Sequence, residues 1–217
     1  MSPAVALKQR SIDAINLSFH RQIHVISEGS ITFCSGDTLQ YMNRTMMAEN
    51  TMAMTIPRVS VPTLELRQIR SAAAHIMQTW RYTGIMNRYS FAANETTHQR
   101  LCQHESGYWQ VRDEQGSLYG FVVIGHHAQV AGGDYTSNAV DLLIGLRPDL
   151  IGQLRGGGLC AVAITHAQSR HPDKTLRVSI PTSHDAALAV WQRAGFYPEY
   201  AFMSNDKVPF VVLTRMH

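Results

Sequence analysis

"LRPDLIGQLRGGGLCAVAITHA", residues 146–167, decides how this chain is read. Three consecutive glycines, Gly156, Gly157 and Gly158, stand between an apolar run and a segment with helical spacing. Glycine inside either element costs roughly 0.5–1 kcal/mol per site against alanine. The triplet therefore reads either as a flexible loop or as a place where a ligand comes close to the backbone. At a helix N-terminus up to four amide N–H groups lack an intrahelical partner, and the macrodipole adds about half a positive charge. Such a turn binds phosphate without a basic side chain. It is not a Walker loop, because no Lys-Ser/Thr follows. The dinucleotide fingerprint, with its glycine spacing and downstream ribose-binding acid, is also missing.

The 217 residues allow one domain with a full core plus an extension. A hydrophobic content of 45% with 16% charged residues is ordinary globular composition. No apolar run approaches the ~20 residues that span a bilayer; Phe121–Gly125 and Val140–Leu146 are strand-sized. The N-terminus lacks the apolar core and cleavage site of a signal peptide, so a cytoplasmic protein with no membrane partner is expected. Three separated cysteines, Cys34, Cys102 and Cys160, give no disulfide framework and no zinc pair. A net charge of +3 without a Lys/Arg block offers no track for nucleic acid. His126 and His127, taken as strand neighbours, point to opposite faces, and neither they nor the pair His98 and His104 have an acidic partner at ligand spacing. No metal is expected.

Residues 1–60 hold six of the ten methionines and little periodicity, and "TIPRVSVPT" separates them from the rest. They read as an accessory or poorly ordered extension, or as sequence upstream of a true start at Met52 or Met54. Residues 61–217 form the main domain. "TLELRQI" alternates like a strand. "SAAAHIMQTWRY" follows as a helix with Ser71 as N-cap, and a second helix is expected from Glu95 to His104. "YWQVRDEQGSLYGFVVIGHHA" is a hairpin. After the loop at Gly132 and Gly133, "AVDLLIGLRP" reads as a central strand. The glycine stretch opens a helix to about Arg170. "TLRVSIP", "SHDAALAVWQRAGF", "PEYAFMS" and "PFVVLTRM" complete the order β-α-α-β-β-β-α-β-α-β-β, an α/β domain without internal repeats.

In that order the triplet resembles a known signature. Gln153-Leu154-Arg155-Gly156-Gly157-Gly158 matches Q/R-x-x-G-x-G/A of the GCN5-related N-acetyltransferase (GNAT) superfamily. "HDAALAVWQRAGF", His184 to Phe196, resembles its second signature, N-x-x-A-x-x-x-Y-x-x-x-G-F. The resemblance runs from about Leu64 to the C-terminus. It implies a mixed central sheet, flanked by helices, whose fourth and fifth strands splay, here Asp141–Leu146 and Leu176–Pro181. It further implies acetyl-CoA as cosubstrate, its pyrophosphate on the amides of Leu154 to Leu159 with a contact from Arg155. The pantetheine arm would pair with the fourth strand around Ile144, Gly145 and Leu146, and the Ile144 N–H would polarise the acetyl carbonyl.

For chemistry, Asp141 is the expected base, a carboxylate at the start of an apolar strand where desolvation would raise its pKa. The solvated strand end is the bland alternative. The sequence departs from the signature at two positions. Trp191 replaces the tyrosine that would protonate the thiolate, and an indole is no proton donor at neutral pH. His184 replaces the asparagine and can still contact the coenzyme. Tyr197 or Tyr200 could supply the phenol, or solvent the proton. Trp80, Tyr82 and Tyr89, with Arg81 and Arg88 among them, line the expected acceptor wall or belong to the core. The activity implied is acetyl transfer to an amine of a small molecule or peptide, with a non-catalytic acetyl-CoA-binding domain as the alternative. The resemblance also allows a homodimer.

Overall fold

The computed structural model describes residues 63–216, so the extension expected at residues 1–60 lies outside the described residues. In chain order the elements are β1 (Glu65–Gln68), α1 (Ser71–Thr79), α2 (Glu95–Cys102), β2 (Tyr108–Arg112), β3 (Leu118–Ile124), β4 (Ala139–Leu146), α3 (Gly156–Arg170), β5 (Thr175–Pro181), α4 (Asp185–Arg193), β6 (Tyr197–Met203) and β7 (Pro209–Arg215). Short 3-10 turns occupy some of the connections. The order is the expected one.

Local chemistry sets the element ends. Asn94 caps α2, its Oδ1 accepting from the Thr97 amide at 2.8 Å, and Glu95 adds favourable charge to the first turn. That helix stops at Cys102, and His104 starts a separate 3-10 turn instead of ending the helix. Helix α1 begins one residue earlier than expected. Arg70 holds the cap position without a side-chain bond, and Ser71 is already helical. In the β2–β3 turn, Asp113 Oδ1 accepts from the Ser117 amide at 2.8 Å, and Gly116 takes a left-handed φ of 78°.

The sheet has the order β1-β2-β3-β4-β5-β7-β6. Every pairing is antiparallel except β4 with β5. Helices α1 and α2 cover one face, where Ala73, Met77 and Leu101 pack with Trp80, Phe91, Phe121 and Val123. Helix α3 covers the other. Its buried Leu159 and Ala163 meet Trp109, Val111, Tyr119 and Val122, with Ile144 beside them. Burial at Leu159, Cys160, Ala163, Ile164 and Ala167 is one helical stripe.

The parallel ladder is short. It pairs Ala139–Leu142 with Thr175–Val178 and ends there, although β4 runs on to Leu146 and β5 to Pro181. Sequence supplies a reason that it does not resume. Thr182 donates its amide to Pro209 on the β7 side at 3.0 Å, so by alternation the backbone polar groups of Pro181 face β4. The first missing rung, Ile144 N–H to the Ser179 carbonyl, has both its groups, but one rung further the Ile144 carbonyl would need an N–H from residue 181, and proline has none. Pro181 thus keeps the ladder from closing again beyond the point where the strands part.

Candidate functional site

The parting of β4 and β5 leaves a notch with one well-defined donor. Asp141 C=O accepts from Gly125, and Arg147 N–H donates to Tyr119, both on the β3 side. Alternation then turns the N–H and C=O of Ile144 and Leu146 toward the notch. The Leu146 carbonyl is taken by the Tyr82 hydroxyl at 2.7 Å. Ile144 lies beyond the last rung of the β4–β5 ladder.

Beside the notch, α3 opens with Gly156, Gly157 and Gly158 as its first three residues. No side chain caps it and no acidic residue occupies its first turn, so its first-turn amides are left for solvent or a ligand. The triplet does not make the turn itself. Left-handed backbone falls earlier, at Gly152 (φ 81°) and at Leu154 (φ 58°). Leu154 is 96% exposed in this strained conformation. What the glycines contribute is missing bulk. A Cβ at Gly156 would meet Val190 Cγ2 of α4 at 3.3 Å, whereas one at Gly157 would enter open space. Gln153 folds back, donating to the Asp149 carbonyl at 2.6 Å. The Arg155 carbonyl accepts from the Tyr119 hydroxyl at 3.3 Å.

On the opposite face of the sheet lies a half-open cavity of about 410 Å³. Leu143 of β4 forms part of its wall, together with Tyr89, Arg88, Thr97, Arg100 and His127. Burial pushes the Tyr89 phenol up to about 12. Burial first, then the neighbouring His126 and Arg100, lower the His127 imidazole below its ordinary value.

A polar network closes the end of the notch. Arg177 of β5, 1% exposed, donates through Nε to Asp141 Oδ1 at 2.6 Å and through Nη2 to Oδ2 at 3.0 Å. Gln129 Nε2 also donates to Asp141 Oδ2 at 2.7 Å. The Arg177 guanidinium lies 4.7 Å from the centroid of the Tyr135 ring. The Tyr135 hydroxyl accepts from the Val130 amide at 2.8 Å and is 2.8 Å from Ser179 Oγ, just past the last β5 rung.

No family model and no curated protein matches the chain. Solved structures do. A chimaera of the Vibrio cholerae spermidine N-acetyltransferase SpeG and hSSAT matches at TM-score 0.55 and 13% identity, over 70% of this chain and 95% of its own. A GNAT-family acetyltransferase from Bacillus anthracis matches at TM-score 0.53 and 11% identity, over 70% and 94%. A Salmonella typhimurium protein assigned as an acetyltransferase, solved with its cofactor acetyl-CoA, matches at TM-score 0.50 and 16% identity, over 70% and 93%. The chain has the GNAT fold.

Within the GNAT fold the expected residues separate into two groups. The backbone positions come together: Ile144 at the notch, and Leu154 through Leu159 at the head of α3. His184 stands at the start of α4, half-buried, its imidazole lowered by burial against a smaller opposing effect of Asp185. Most of the expected side chains go elsewhere. Asp141, the expected base, has both its oxygens engaged, by Arg177 and Gln129. Tyr197 is 72% exposed on the sheet-edge strand β6, far from the notch in strand order. Tyr200 is tied to the backbone of Asp134. Trp191 is 3% exposed and packs edge-to-face on Phe196 at 4.8 Å, so it is core. Trp80 and Tyr82 are buried, and only Tyr89 of the three expected acceptor aromatics reaches the cavity. Gly145 is a packing glycine, since a Cβ there would meet the Phe121 ring at 2.2 Å.

Tyr135 was missed. Its signal was the preceding "GGD", since a Cβ at Gly133 would strike the Tyr135 ring at 2.7 Å. His126 and His127 occupy a 3-10 turn, not a strand, and their ring centroids lie 4.0 Å apart with the planes tilted by 38°. Among the described residues no group of three His, Cys, Asp or Glu is placed to hold a metal. No helix among the described residues is long and apolar enough to cross a membrane.

Proposed function

We propose that the chain transfers an acetyl group from acetyl-CoA to a primary amine of a small molecule or peptide. The observation that carries this reading is the adjacency of two backbone devices, a notch with the Ile144 N–H turned into it and an uncapped, glycine-opened helix end. Bound acetyl-CoA supplies a thioester that an amine can attack. The residues fit it. The amides of Arg155 to Gly158 would hold its pyrophosphate, with open space at Gly157 for the approach. Ile144 would donate to the acetyl carbonyl as negative charge grows there. The acceptor would enter through the cavity on the α1–α2 side, with Leu143 between cavity and notch.

Tyr135 takes the place left by Trp191. It is a phenol hydrogen-bonded to Ser179 at the notch, and we assign it the proton that the departing thiolate needs. The amine loses its own proton to solvent through the cavity mouth. In this scheme Asp141 and Arg177 hold the two strands and exchange no proton.

A specific observation also favours the alternative of a non-catalytic acetyl-CoA-binding domain: the aligned signature residue is a buried tryptophan and the aligned carboxylate is locked in an ion pair. Release of coenzyme A thiol, followed with an amine panel, separates the two readings. Amine-dependent release is expected, and Tyr135→Phe is expected to slow it by roughly 10²-fold or more while leaving coenzyme binding intact. Tight coenzyme binding without release for any amine would leave a binding domain.

A further inference from the structure

The cavity beside the notch has an unusual charge balance. Among the residues lining it there is no aspartate or glutamate, but there are two arginines. Arg88 is neutralised, its Nη2 donating to Asp206 Oδ2 at 3.0 Å. Arg100 is not. It projects from α2 one turn after Thr97, which also lines the cavity. Among the described residues no ion pair or hydrogen bond engages its guanidinium, and its buried Nε has no partner. The Tyr108 ring, 5.9 Å away, offers only a cation–π contact. A half-buried guanidinium with an orphaned donor is costly until an anion arrives. Its planar fork fits a carboxylate bidentately.

From this we propose that the acceptor is a small primary amine that also carries a carboxylate, with Arg100 as the carboxylate's partner. The inference rests on the acetyltransferase reading and names the substrate class of the same site. At about 410 Å³ the cavity suits a molecule of amino-acid size. The carboxylate sits at the Arg100 end, and the amine extends along Leu143 toward Ile144. A polyamine is disfavoured, because its charges would face Arg100 with no carboxylate in the lining to offset them. This differs from the spermidine acetyltransferases whose fold the chain shares.

The test uses the full chain with acetyl-CoA and an amine panel. It contains L-phenylalanine, L-leucine and glycine, each beside the amine left when its only carboxylate is removed, together with spermidine. Two readouts are taken: kcat/KM from thiol release, and calorimetric binding of each amine to the protein loaded with coenzyme A. At least one amino acid is expected to exceed its decarboxylated partner roughly tenfold or more in both. Arg100→Met is expected to bring that ratio toward one, and Arg100→Lys to retain part of it. Equal or better use of the decarboxylated amines or of spermidine overturns the proposal, as does a ratio that Arg100→Met leaves unchanged. If no amine is turned over, the acetyltransferase reading fails and binding decides the rest. Amino-acid binding lost in Arg100→Met then upholds the ligand class, and its absence in the parent protein refutes it.

Discussion

Gly157→Ala is expected to raise stability and lower coenzyme affinity at once. Gly157 is the second residue of α3, and a Cβ there meets no atom within 4 Å. Replacing a helical glycine with alanine at such a site gains up to about 1 kcal/mol, less in a first turn. For a domain of this size that corresponds to roughly 1–3 °C in Tm. The same methyl points back toward the helix N-terminus, as every helical Cβ does. It therefore projects into the space a phosphate oxygen must enter to come within about 2.9 Å of the amides. Loss of one charge-assisted hydrogen bond is worth about 1.5–3 kcal/mol, or roughly 10- to 100-fold in Kd. Gly157→Glu adds repulsion and is expected to abolish binding. Gly156→Ala is the contrasting control, because its Cβ presses on Val190 at 3.3 Å and costs packing between α3 and α4. The assay is a thermal melt without ligand beside calorimetry with acetyl-CoA and its desulfo analogue. A Gly157→Ala protein that is more stable and binds the coenzyme as tightly as the parent would place the pyrophosphate elsewhere. If Gly157→Glu also binds normally, the phosphate cradle is refuted.

Asp141→Asn leaves Arg177 buried without its counter-charge and is expected to cost roughly 3–5 kcal/mol, on the order of 10 °C in Tm. A variant that melts like the parent but loses turnover would return Asp141 to the role of base. Pro181→Ala supplies the donor missing from the β4–β5 ladder. Stability should change by less than about 1 kcal/mol, since one gained hydrogen bond offsets the lost rigidity of proline. Coenzyme affinity should fall as the notch narrows, and slow hydrogen exchange at the new residue 181 amide should report the rung; a fast-exchanging amide with unchanged affinity would refute Pro181 as the barrier that keeps the ladder from resuming. Burial lowers the imidazoles of His127, His166 and His184. The folded state then binds fewer protons than the unfolded state, so their contribution is complete above about pH 7 and is lost as pH falls through about 6.5 toward the lowered values. A Tm that stays flat between pH 7.5 and 5.5 would contradict this.

The parts of the molecule that sequence reveals are those encoded locally. The strand and helix order follows from short-range periodicity, and the helix head and the Ile144 amide follow from a backbone motif that needs no particular side chain. The misplaced residues depend on long-range register. Nothing near Asp141 in the chain announces that the parallel ladder sets it opposite Arg177, 36 residues on. The arginine in "TLRVSIP" was the available clue, a lone cation in an otherwise apolar central strand. Aromatic residues misled in the opposite direction. As sequence, Trp80 and Tyr82 fit either acceptor wall or core, and Trp191 stands where the signature has a tyrosine; all three are buried, since large rings carry so much apolar area that the core claims them first. Arg100 is absent from the residues that the sequence points to, and only the cavity's missing carboxylates give it meaning.

Pro181 and the Asp141–Arg177 pair act on the same few rungs and explain each other. Proline alone would let β4 and β5 drift apart, because parallel strands held by a short ladder have little else between them. The ion pair bridges the strands one rung before the ladder ends, on the α1–α2 face, with Gln129 and Ser137 taking further valences of the carboxylate and the guanidinium. Burying two charges there is a poor route to stability, since a well-packed apolar pair would do as well or better. Its use is positional. A bidentate pair fixes the strands' separation and register up to Leu142, so that the opening begins abruptly at Ile144 instead of fraying through the sheet. The Tyr135 ring, stacked on the same guanidinium, is thereby held against Ser179 at the mouth of that opening. A carboxylate committed to this work is a poor proton shuttle, which is why the proposed chemistry sends the amine's proton to solvent and asks of the neighbouring phenol only the proton for the thiolate.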